Sequence, residues 1–379
     1  MSEIKVNSIK GVSASTAAIS IDNSSGTCTA KLTDNGGNQF ANRNKIINGE
    51  FRVNQRNHSG SAGHNTYTLD RWKYARSANS EFSTSQSTDT PDGFANSIKL
   101  DCISANGSTG AGDYAYLRYH IEGQDLQDLS KGTSAAKAFT LSFYVKCDIT
   151  GTFAISIEDV NSRMCNATYT VSNTNWNRYI ITIPADTTGA LANNNLTQLS
   201  VHFYIIAGSS HSSGSAVHTW GAYSASSVAT GHTANIVSTD HNWYMTGVQL
   251  EISDYATPFE HRSYGQELAL CQRYYFHLVS GNDKLIGLGM NYGNPDFFAE
   301  VTFPVTMRAA PSLDITTGTN YYRMYQANSS GDDMDSFVIS RANTNKCNLY
   351  DSGSGGSIGK GGVLVTNNAS ASVAFSSEL

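Results

Sequence analysis

The sequence predicts an all-β protein, because short polar residues dominate its composition and apolar and polar side chains alternate with a period of two. Only 15% of the 379 residues are charged, and 33 glycines stand against 6 prolines. Soluble domains usually carry about 25% charged residues. Asn, Ser, Thr and Gly fill the difference, and they favour turns and exposed strand faces over helix interiors. We therefore expect many short strands joined by turns.

A β-sandwich is predicted between residues 47 and 258. The segments that alternate over much of their length read IKLDCIS, DYAYLRYHIE, AFTLSFYVKCD, TFAISIED, NATYTVS, NRYIITIP, LSVHFYII and YMTGVQLE. A period of two gives each strand one buried and one solvated face. About eight such strands with turn signals between them predict two packed antiparallel sheets, as in a jelly roll.

The segments on either side have different patterns. Residues 1–46 hold short alternating stretches with few large apolar side chains. We expect weak strands there that become ordered against copies of the segment or a larger assembly, with a disordered tail as the alternative. Residues 259–276 show the apolar spacing of one short helix. Residues 277–379 return to strand patterns and predict a second, smaller β domain.

Charge and cysteine usage exclude several function classes. The net charge is −6, and no run of Lys or Arg exceeds two residues, so no nucleic-acid contact is predicted. No apolar run approaches the ~20 residues of a membrane-spanning helix, and the first residues lack the apolar centre of a signal peptide. The six cysteines lie far apart without metal-ligand spacing, so we expect buried or idle thiols, no metal and no cofactor.

No motif for enzymatic chemistry is present, so a non-enzymatic protein is predicted. The glycine-rich stretch 353–360 lacks the spacing of a phosphate-binding loop. A polysaccharide depolymerase is the enzymatic alternative, and it needs two carboxylates that flank the glycosidic bond. The adjacent candidate pairs are Glu158 with Asp159 and Asp332 with Asp333. Adjacent strand residues point to opposite faces, so neither pair converges if it lies in a strand.

Three blocks carry a resemblance to a known family. KIINGEFRVNQR (45–56), followed by YTLDRWKY (67–74), resembles the entry to a domain common in the tail-fibre and appendage proteins of tailed bacteriophages. The block YMTGVQLEISDYATPFEHRSYGQELALCQRYY (244–275) is similar to that domain's exit, and the terminal SSEL resembles an ending that many of these proteins share. In the entry block, we expect Asp70 and Arg71 to form an ion pair at a strand end that packs on the ring of Trp72. The resemblance implies a carbohydrate-binding-like jelly roll, a virion location and a trimer.

The leading hypothesis is a homotrimeric tail fibre, made in the host cytoplasm, that attaches the virion to a host surface glycan or receptor. Residues 1–46 would bind other virion proteins, residues 47–258 would form the jelly roll, and the helix in 259–276 would lead to the tip domain 277–379. We expect the three helices of residues 265–276 near the trimer axis. The alternative is a capsid-bound head fibre or decoration protein, which also needs an N-terminal anchor. No membrane insertion is expected.

Two stretches are candidate ligand-binding sites, because glycan recognition uses exposed aromatic rings with polar side chains on loops. The favoured stretch lies in the C-terminal domain and contains Tyr321, Tyr322, Tyr325 and Asp332. The second lies in a polar stretch from Gly208 to Asn235 and contains His218, Trp220 and Tyr223. The alternative for the tyrosines is that they are cross-strand partners that fill a small core or a trimer contact.

Overall fold

The computed structural model describes the chain apart from residues 1–7, 10–18, 22–27, 31–41, 78, 80, 106, 216–217, 294–295, 327–330 and 354–356. Three short N-terminal strands pair in order as an antiparallel sheet: β1 Ser8–Ile9, β2 Ile19–Ile21 and β3 Cys28–Ala30. The rest of the predicted anchoring segment up to residue 41 lies outside the described residues. In the described part of the chain, no helix has the length and apolar character needed to cross a membrane.

Thirteen further strands form two antiparallel sheets that pack as a sandwich. They are β4 Ser59–Ser61, β5 Thr66–Tyr67, β6 Trp72–Arg76, β7 Phe82–Ser87, β8 Ser97–Cys102, β9 Tyr114–Glu122, β10 Phe139–Cys147, β11 Gly151–Asp159, β12 Arg163–Val171, β13 Asn177–Ile183, β14 Thr197–Ala207, β15 Gly221–Ala222 and β16 Asn242–Glu251. One sheet has six strands in the order β13-β10-β16-β8-β7-β4, and the other has seven in the order β15-β12-β11-β14-β9-β6-β5. A 3₁₀ helix, Gly123–Leu129, and the one-turn helix α1, Ser209–Ser212, lie in connections. The predicted all-β class is confirmed.

Large rings fill the space between the two sheets. Trp72 and Trp243 are both fully buried. The ring of Trp72 lies 4.9 Å from Phe51 and 5.1 Å from Tyr119. Burying one large apolar side chain contributes about 1.5–3 kcal/mol, so this aromatic core accounts for much of the stability of the sandwich.

The predicted helix forms as α2, Tyr264–Gln272. It begins with a capping box in which Ser263 and Gln266 satisfy each other's free backbone groups. The helix ends at Gln272, and the next strand begins three residues later at Tyr275. Cys271 is fully buried in the sandwich core cluster and Leu268 packs against that cluster. The apolar side chains that the prediction assigned to a trimer axis therefore contact the chain's own sandwich.

The C-terminal strands form a second unit with its own core, called here the distal domain. The strands are β17 Tyr275–Ser280, β18 Leu285–Asn291, β19 Phe297–Thr302, β20 Ser312–Ile315, β21 Tyr322–Gln326, β22 Asp332–Met334, β23 Val338–Ser340, β24 Lys346–Asp351, β25 Gly361–Thr366 and β26 Ser372–Ser376. They form a three-stranded sheet, β17-β26-β20, and a seven-stranded sheet, β22-β21-β25-β18-β19-β24-β23. Phe297, Tyr322 and Phe375 are fully buried in this second core cluster.

The C-terminal tail joins the distal domain to the sandwich through a buried charge cluster. Arg71 is almost fully buried, and its Nη1 donates to Glu378 Oε2 at 2.6 Å. Its guanidinium lies 3.5 Å from the ring centroid of Tyr274. The predicted Asp70–Arg71 ion pair is wrong, because the Asp70 carboxylate accepts from the backbone N–H of Gln55 at 2.7 Å. Arg71 is instead paired with a residue 307 positions away in the sequence.

The thiol prediction is confirmed for the cysteines whose side chains are described. They are Cys102, Cys147, Cys165, Cys271 and Cys347, and all five are buried and free. Burial raises the pKa of Cys165 and of Cys347 to about 12, so both stay protonated at neutral pH. Such thiols are poor nucleophiles and poor metal ligands.

Candidate functional site

The outer face of the seven-stranded sandwich sheet carries an unusual set of side chains for a solvated strand face. On β9, Leu117 and Tyr119 point into the core and are buried. The alternate residues Tyr116, Arg118 and His120 are partly exposed on the other face. A period of two therefore places an aromatic ring, a guanidinium and an imidazole in sequence along one strand.

Strand register brings further polar groups beside them. One row across the sheet contains Lys73, Arg118, His202 and Ser156. The next row contains His120, Ser200 and Glu158. Directly opposed residues in antiparallel strands have Cβ atoms about 4.5–5.5 Å apart, so each row is a continuous line of contacts. We call these two rows, together with Tyr116, the sheet-face site.

Stacked rings hold the centre of the sheet-face site in place. The imidazole of His202 lies parallel to the ring of Tyr116, with centroids 4.8 Å apart and an interplanar angle of 5°. Tyr114 stacks next to Tyr116 at 5.6 Å, and Tyr204 packs against it at 5.1 Å. The column of rings restricts side-chain rotation, so the neighbouring polar groups lie on a rigid base.

The ionisable groups of the site have defined charge states near neutral pH. Burial alone would raise the pKa of Glu158, but His202, with Nδ1 3.2 Å from Glu158 Oε1, and a hydrogen bond from Ser156 hold that pKa below its ordinary value. Burial, together with the positive charge of Arg118, lowers the pKa of His120 to about 2. Glu158 is therefore ionised and His120 is neutral, with its Nδ1 2.7 Å from Ser200 Oγ.

The polar loop 208–236 closes one end of the face. Val228 and Ala229 are buried in a small cluster that also contains Tyr204 on the outer face of β14. The backbone N–H of Tyr223 donates to the carbonyl of Ser162 at 2.8 Å. The Tyr223 side chain is 47% exposed, and Glu158 is close enough to add to the effect of burial in raising its pKa. Tyr223 thus lies at the rim of the sheet-face site.

The other two predicted residues of this loop have different environments. The indole N–H of Trp220 donates to the carbonyl of Pro184 at 2.9 Å. Its ring packs against the sandwich core cluster and lies 4.6 Å from the ammonium of Lys131. These contacts make Trp220 part of the packing beneath the loop. His218 is exposed on the loop surface.

The structure divides the predicted distal residues between two faces of one sheet. Tyr322 is fully buried against Phe337, and its hydroxyl donates to Thr316 O at 2.6 Å. Tyr325 lies on the opposite face and is 43% exposed. Tyr321 packs partly against the core cluster, and Asp332 is paired with Met324 across the β21–β22 register. Tyr322 is therefore a core residue, as in the alternative interpretation of the tyrosines. The four predicted distal residues do not form one surface.

A second exposed surface lies on the outer face of the distal seven-stranded sheet. The protruding apolar side chains, called here the distal band, are Leu288, Met290, Tyr292, Phe298, Tyr350 and Val338. Leu288 is 70% exposed and Tyr292 is 76% exposed. A cavity of about 530 Å³ lies among the first four of these residues, with Glu300 and Arg341 at its edge.

Sequence reasoning missed both surfaces, although each has a signal. In DYAYLRYHIE, large residues occupy both sets of alternate positions, so the nominally wet face carries tyrosines and cations as well. In LIGLGMNY, apolar residues at 286, 288 and 290 alternate with glycines, so the sequence shows one apolar face, and a register shift between Leu285 and Gly287 buries Ile286 while Leu288 and Met290 stay outside. Alternation identifies a strand, but it does not say which of its outward side chains will lie together across the sheet.

No protein-family model matches the sequence, and no curated protein matches it. Among solved structures, the enzymatically active domain of tailspike protein 4 of bacteriophage CBA120 is similar over 55% of this chain, with 11% identity and a TM-score of 0.31. That match spans 21% of the tailspike chain. Two carbohydrate-binding modules from Clostridium thermocellum are also similar. The family 11 module matches 54% of this chain and 99% of its own, with 11% identity and a TM-score of 0.27. The C-terminal family 22 module of Xyn10B matches 52% and 98%, with 11% identity and a TM-score of 0.29.

Proposed function

We propose that this chain is a virion appendage, a tail fibre, that attaches to the host cell surface by binding a glycan on the sheet-face site. The observation that carries the proposal is the combination of a tyrosine ring, an ionised carboxylate and two cations, all partly exposed, on one rigid sheet face where His202 and the serines beneath them are buried. A saccharide presents C–H patches beside many hydroxyls, and binding it requires apolar surface with a few fixed polar groups. Loop 208–236 adds a rim with the half-exposed ring of Tyr223.

The virion location rests on the resemblance of the entry and exit blocks to phage appendage proteins. In this proposal, residues 1–46 bind other virion proteins, and the sandwich and distal domains extend away from the particle. A capsid-bound head fibre or decoration protein remains the second candidate, since its anchor and its exposed domains would have the same arrangement. Labelling the protein in intact particles distinguishes the two, because the signal falls either on the tail or on the capsid.

A non-enzymatic role is part of the proposal. Glu158 is engaged by His202, whereas the adjacent Asp159 bonds Lys131 at 2.5 Å. Asp333 is held by Arg323 at 2.5 Å. Neither carboxylate pair considered from the sequence has both members free to flank a glycosidic bond. Release of reducing sugar from host polysaccharide by the purified protein would favour the depolymerase alternative instead.

The glycan proposal predicts a loss of adsorption when the sheet-face site is altered. The double variant Tyr223→Ala with Glu158→Gln removes the rim ring and the carboxylate charge, and we expect binding to host cells to fall at least tenfold, or about 1.4 kcal/mol. The matched control is Tyr264→Ala, which removes a ring that is 49% exposed elsewhere on the chain. Adsorption of labelled protein to cells is the measurement. Equal adsorption of a folded double variant and the control would contradict the proposal.

We further propose that the homotrimer forms through the distal band. Its exposed residues are mainly aliphatic or aromatic, and such side chains gain more from a protein partner than from a hydroxyl-rich ligand. One nearby carboxylate is paired within the chain, since Lys346 Nζ lies 3.3 Å from Glu300 Oε1. The guanidinium of Arg341 lies over the ring of Phe298 at 5.1 Å, so a second copy of the chain would meet mainly apolar and aromatic groups there, whereas α2 is already packed on the sandwich.

The variant Met290→Lys is expected to shift the protein from trimer to monomer at micromolar concentration, because three ammonium groups would be buried in the contact. Met290 is 48% exposed, so the substitution leaves the core of the distal domain intact. Leu196→Lys is the matched control, since Leu196 is 55% exposed on the sandwich. Sedimentation velocity gives the mass of each species. A monomeric wild-type protein, or a trimeric Met290→Lys variant, would remove this contact from the proposal.

A further inference from the structure

We infer that the ligand of the sheet-face site is an anionic saccharide whose acidic group binds between Lys73 and Arg118. This inference rests on the proposed glycan-binding function and names the chemical class of the glycan. The acidic group is a carboxylate, sulfate or phosphate, all of which accept hydrogen bonds from an ammonium and a guanidinium.

Two positive charges face each other across neighbouring strands of the sheet. Lys73 on β6 and Arg118 on β9 are direct cross-strand partners on the outer face of the sheet. Like charges directly opposite each other destabilise an antiparallel pair. The two strands pair over five residues, from Trp72 with Tyr119 to Arg76 with Ala115, so the juxtaposition belongs to the regular ladder of the sheet.

Neither Lys73 nor Arg118 has an acidic partner among the described residues. Nη2 of Arg118 donates to Asn65 Oδ1 at 3.0 Å, while its Nε is buried and has no hydrogen-bond partner in the described part of the chain. The ammonium of Lys73 lies 5.1 Å from the ring centroid of Tyr67. Among the residues that the structure describes, neither cation forms an ion pair with a carboxylate. Both positive charges are therefore available to a ligand.

The carboxylates nearest to this pair are already engaged. Glu158 bonds Ser156 and contacts His202, and Glu378 is held by Arg71 at 2.6 Å and by Arg56 at 3.1 Å. Burial and the adjacent Arg118 charge both lower the pKa of Lys73, and the opposing charge of Glu378 does not cancel their effect. An anionic group on the ligand would supply the missing charge.

Partial burial makes the pair a stronger anion site than two surface cations. Both side chains are partly shielded from solvent on the sheet face, so water screens their charge less than it would on a loop. Each cation also lies near a tyrosine ring, with Lys73 5.1 Å from the Tyr67 centroid and Arg118 6.0 Å from the Tyr116 centroid. A sugar ring that carries an acidic group thus meets cations at that group and aromatic groups beside it.

The test is binding of the full-length protein to an array that holds matched neutral, carboxylated, sulfated and phosphorylated saccharides. We expect the bound members to be acidic and their binding to weaken as salt concentration rises. The double variant Lys73→Gln with Arg118→Gln should bind those members at least tenfold more weakly. Lys99→Gln, which changes a part-exposed lysine on the other sheet, is the control and should bind as the wild type does.

Thermal unfolding separates a binding role from a structural one. Removing two opposed positive charges relieves repulsion, so the double variant should keep or raise the melting temperature while it loses binding. A large drop in melting temperature would show that the cations are structural and overturn the inference. Binding confined to neutral saccharides would also overturn it but leave the proposed glycan function intact. Binding to no saccharide, with normal cell adsorption by the Tyr223→Ala, Glu158→Gln variant, would overturn both.

Discussion

Glu378→Ala is expected to lower the free energy of unfolding by about 3–5 kcal/mol, the usual cost of leaving a buried charge without its partner. Arg71 is 1% exposed, and among the described residues Glu378 is the one carboxylate that pairs with it. Its guanidinium also contacts the His120 carbonyl at 2.7 Å and the rings of Tyr274 and Tyr119. The guanidinium keeps its charge because arginine does not lose its proton in proteins. Chemical denaturation measured by tryptophan fluorescence gives the free energy.

Two comparisons make this result specific to the buried pair. Glu300→Ala breaks the exposed ion pair with Lys346 and should cost at most about 1 kcal/mol. The double variant Arg71→Met with Glu378→Leu removes both charges of the pair and should recover part of the lost stability, because an apolar pair of similar volume avoids the desolvation penalty and Arg56 keeps Asp70 at 3.9 Å. If Glu378→Ala and Glu300→Ala unfold at the same denaturant concentration, the tail does not contribute in this way.

The sandwich could be predicted because its determinants are local. The long strands carry their own two-residue alternation, as Phe153, Ile155 and Ile157 do in β11, and this pattern is visible in each segment taken alone. The contact between Arg71 and Glu378 had no such signal, since the two residues are 307 positions apart and each looks like an ordinary surface charge. A long-range ion pair depends on how the two domains pack against each other. The two-residue alternation of the strands carries no information about that packing.

The sheet-face site was predicted only at its rim. Tyr223 was selected because it lies in a long polar loop, a feature visible in the sequence. The opposition of Lys73 to Arg118 depends on which strands become neighbours, and β6 and β9 are separated in the chain by β7 and β8. The alternation placed Arg118 on the outer face, but only strand order places Lys73 beside it.

Tyr322 and Tyr325 lie on opposite faces of the same strand, so one is in the core and the other on the surface. Their alanine variants should therefore differ in stability. Tyr322→Ala is expected to destabilise the distal domain by about 3–5 kcal/mol, because it leaves a cavity next to Phe337. It also removes the hydroxyl that donates to the Thr316 and Ser372 carbonyls. Tyr325→Ala removes a ring that is 43% exposed on the other face, so its cost should stay below about 1 kcal/mol.

The same two variants test whether the distal domain unfolds as a unit separate from the sandwich. All four tryptophans lie between residues 72 and 243, so tryptophan fluorescence reports on the sandwich alone. Far-ultraviolet circular dichroism reports on both domains. If the distal core is independent, Tyr322→Ala should give an early circular dichroism transition while the fluorescence transition stays near its wild-type midpoint. If the Arg71–Glu378 contact couples the domains tightly, both signals should move together. Equal stability of the Tyr322 and Tyr325 variants would contradict the assignment of Tyr322 to the core.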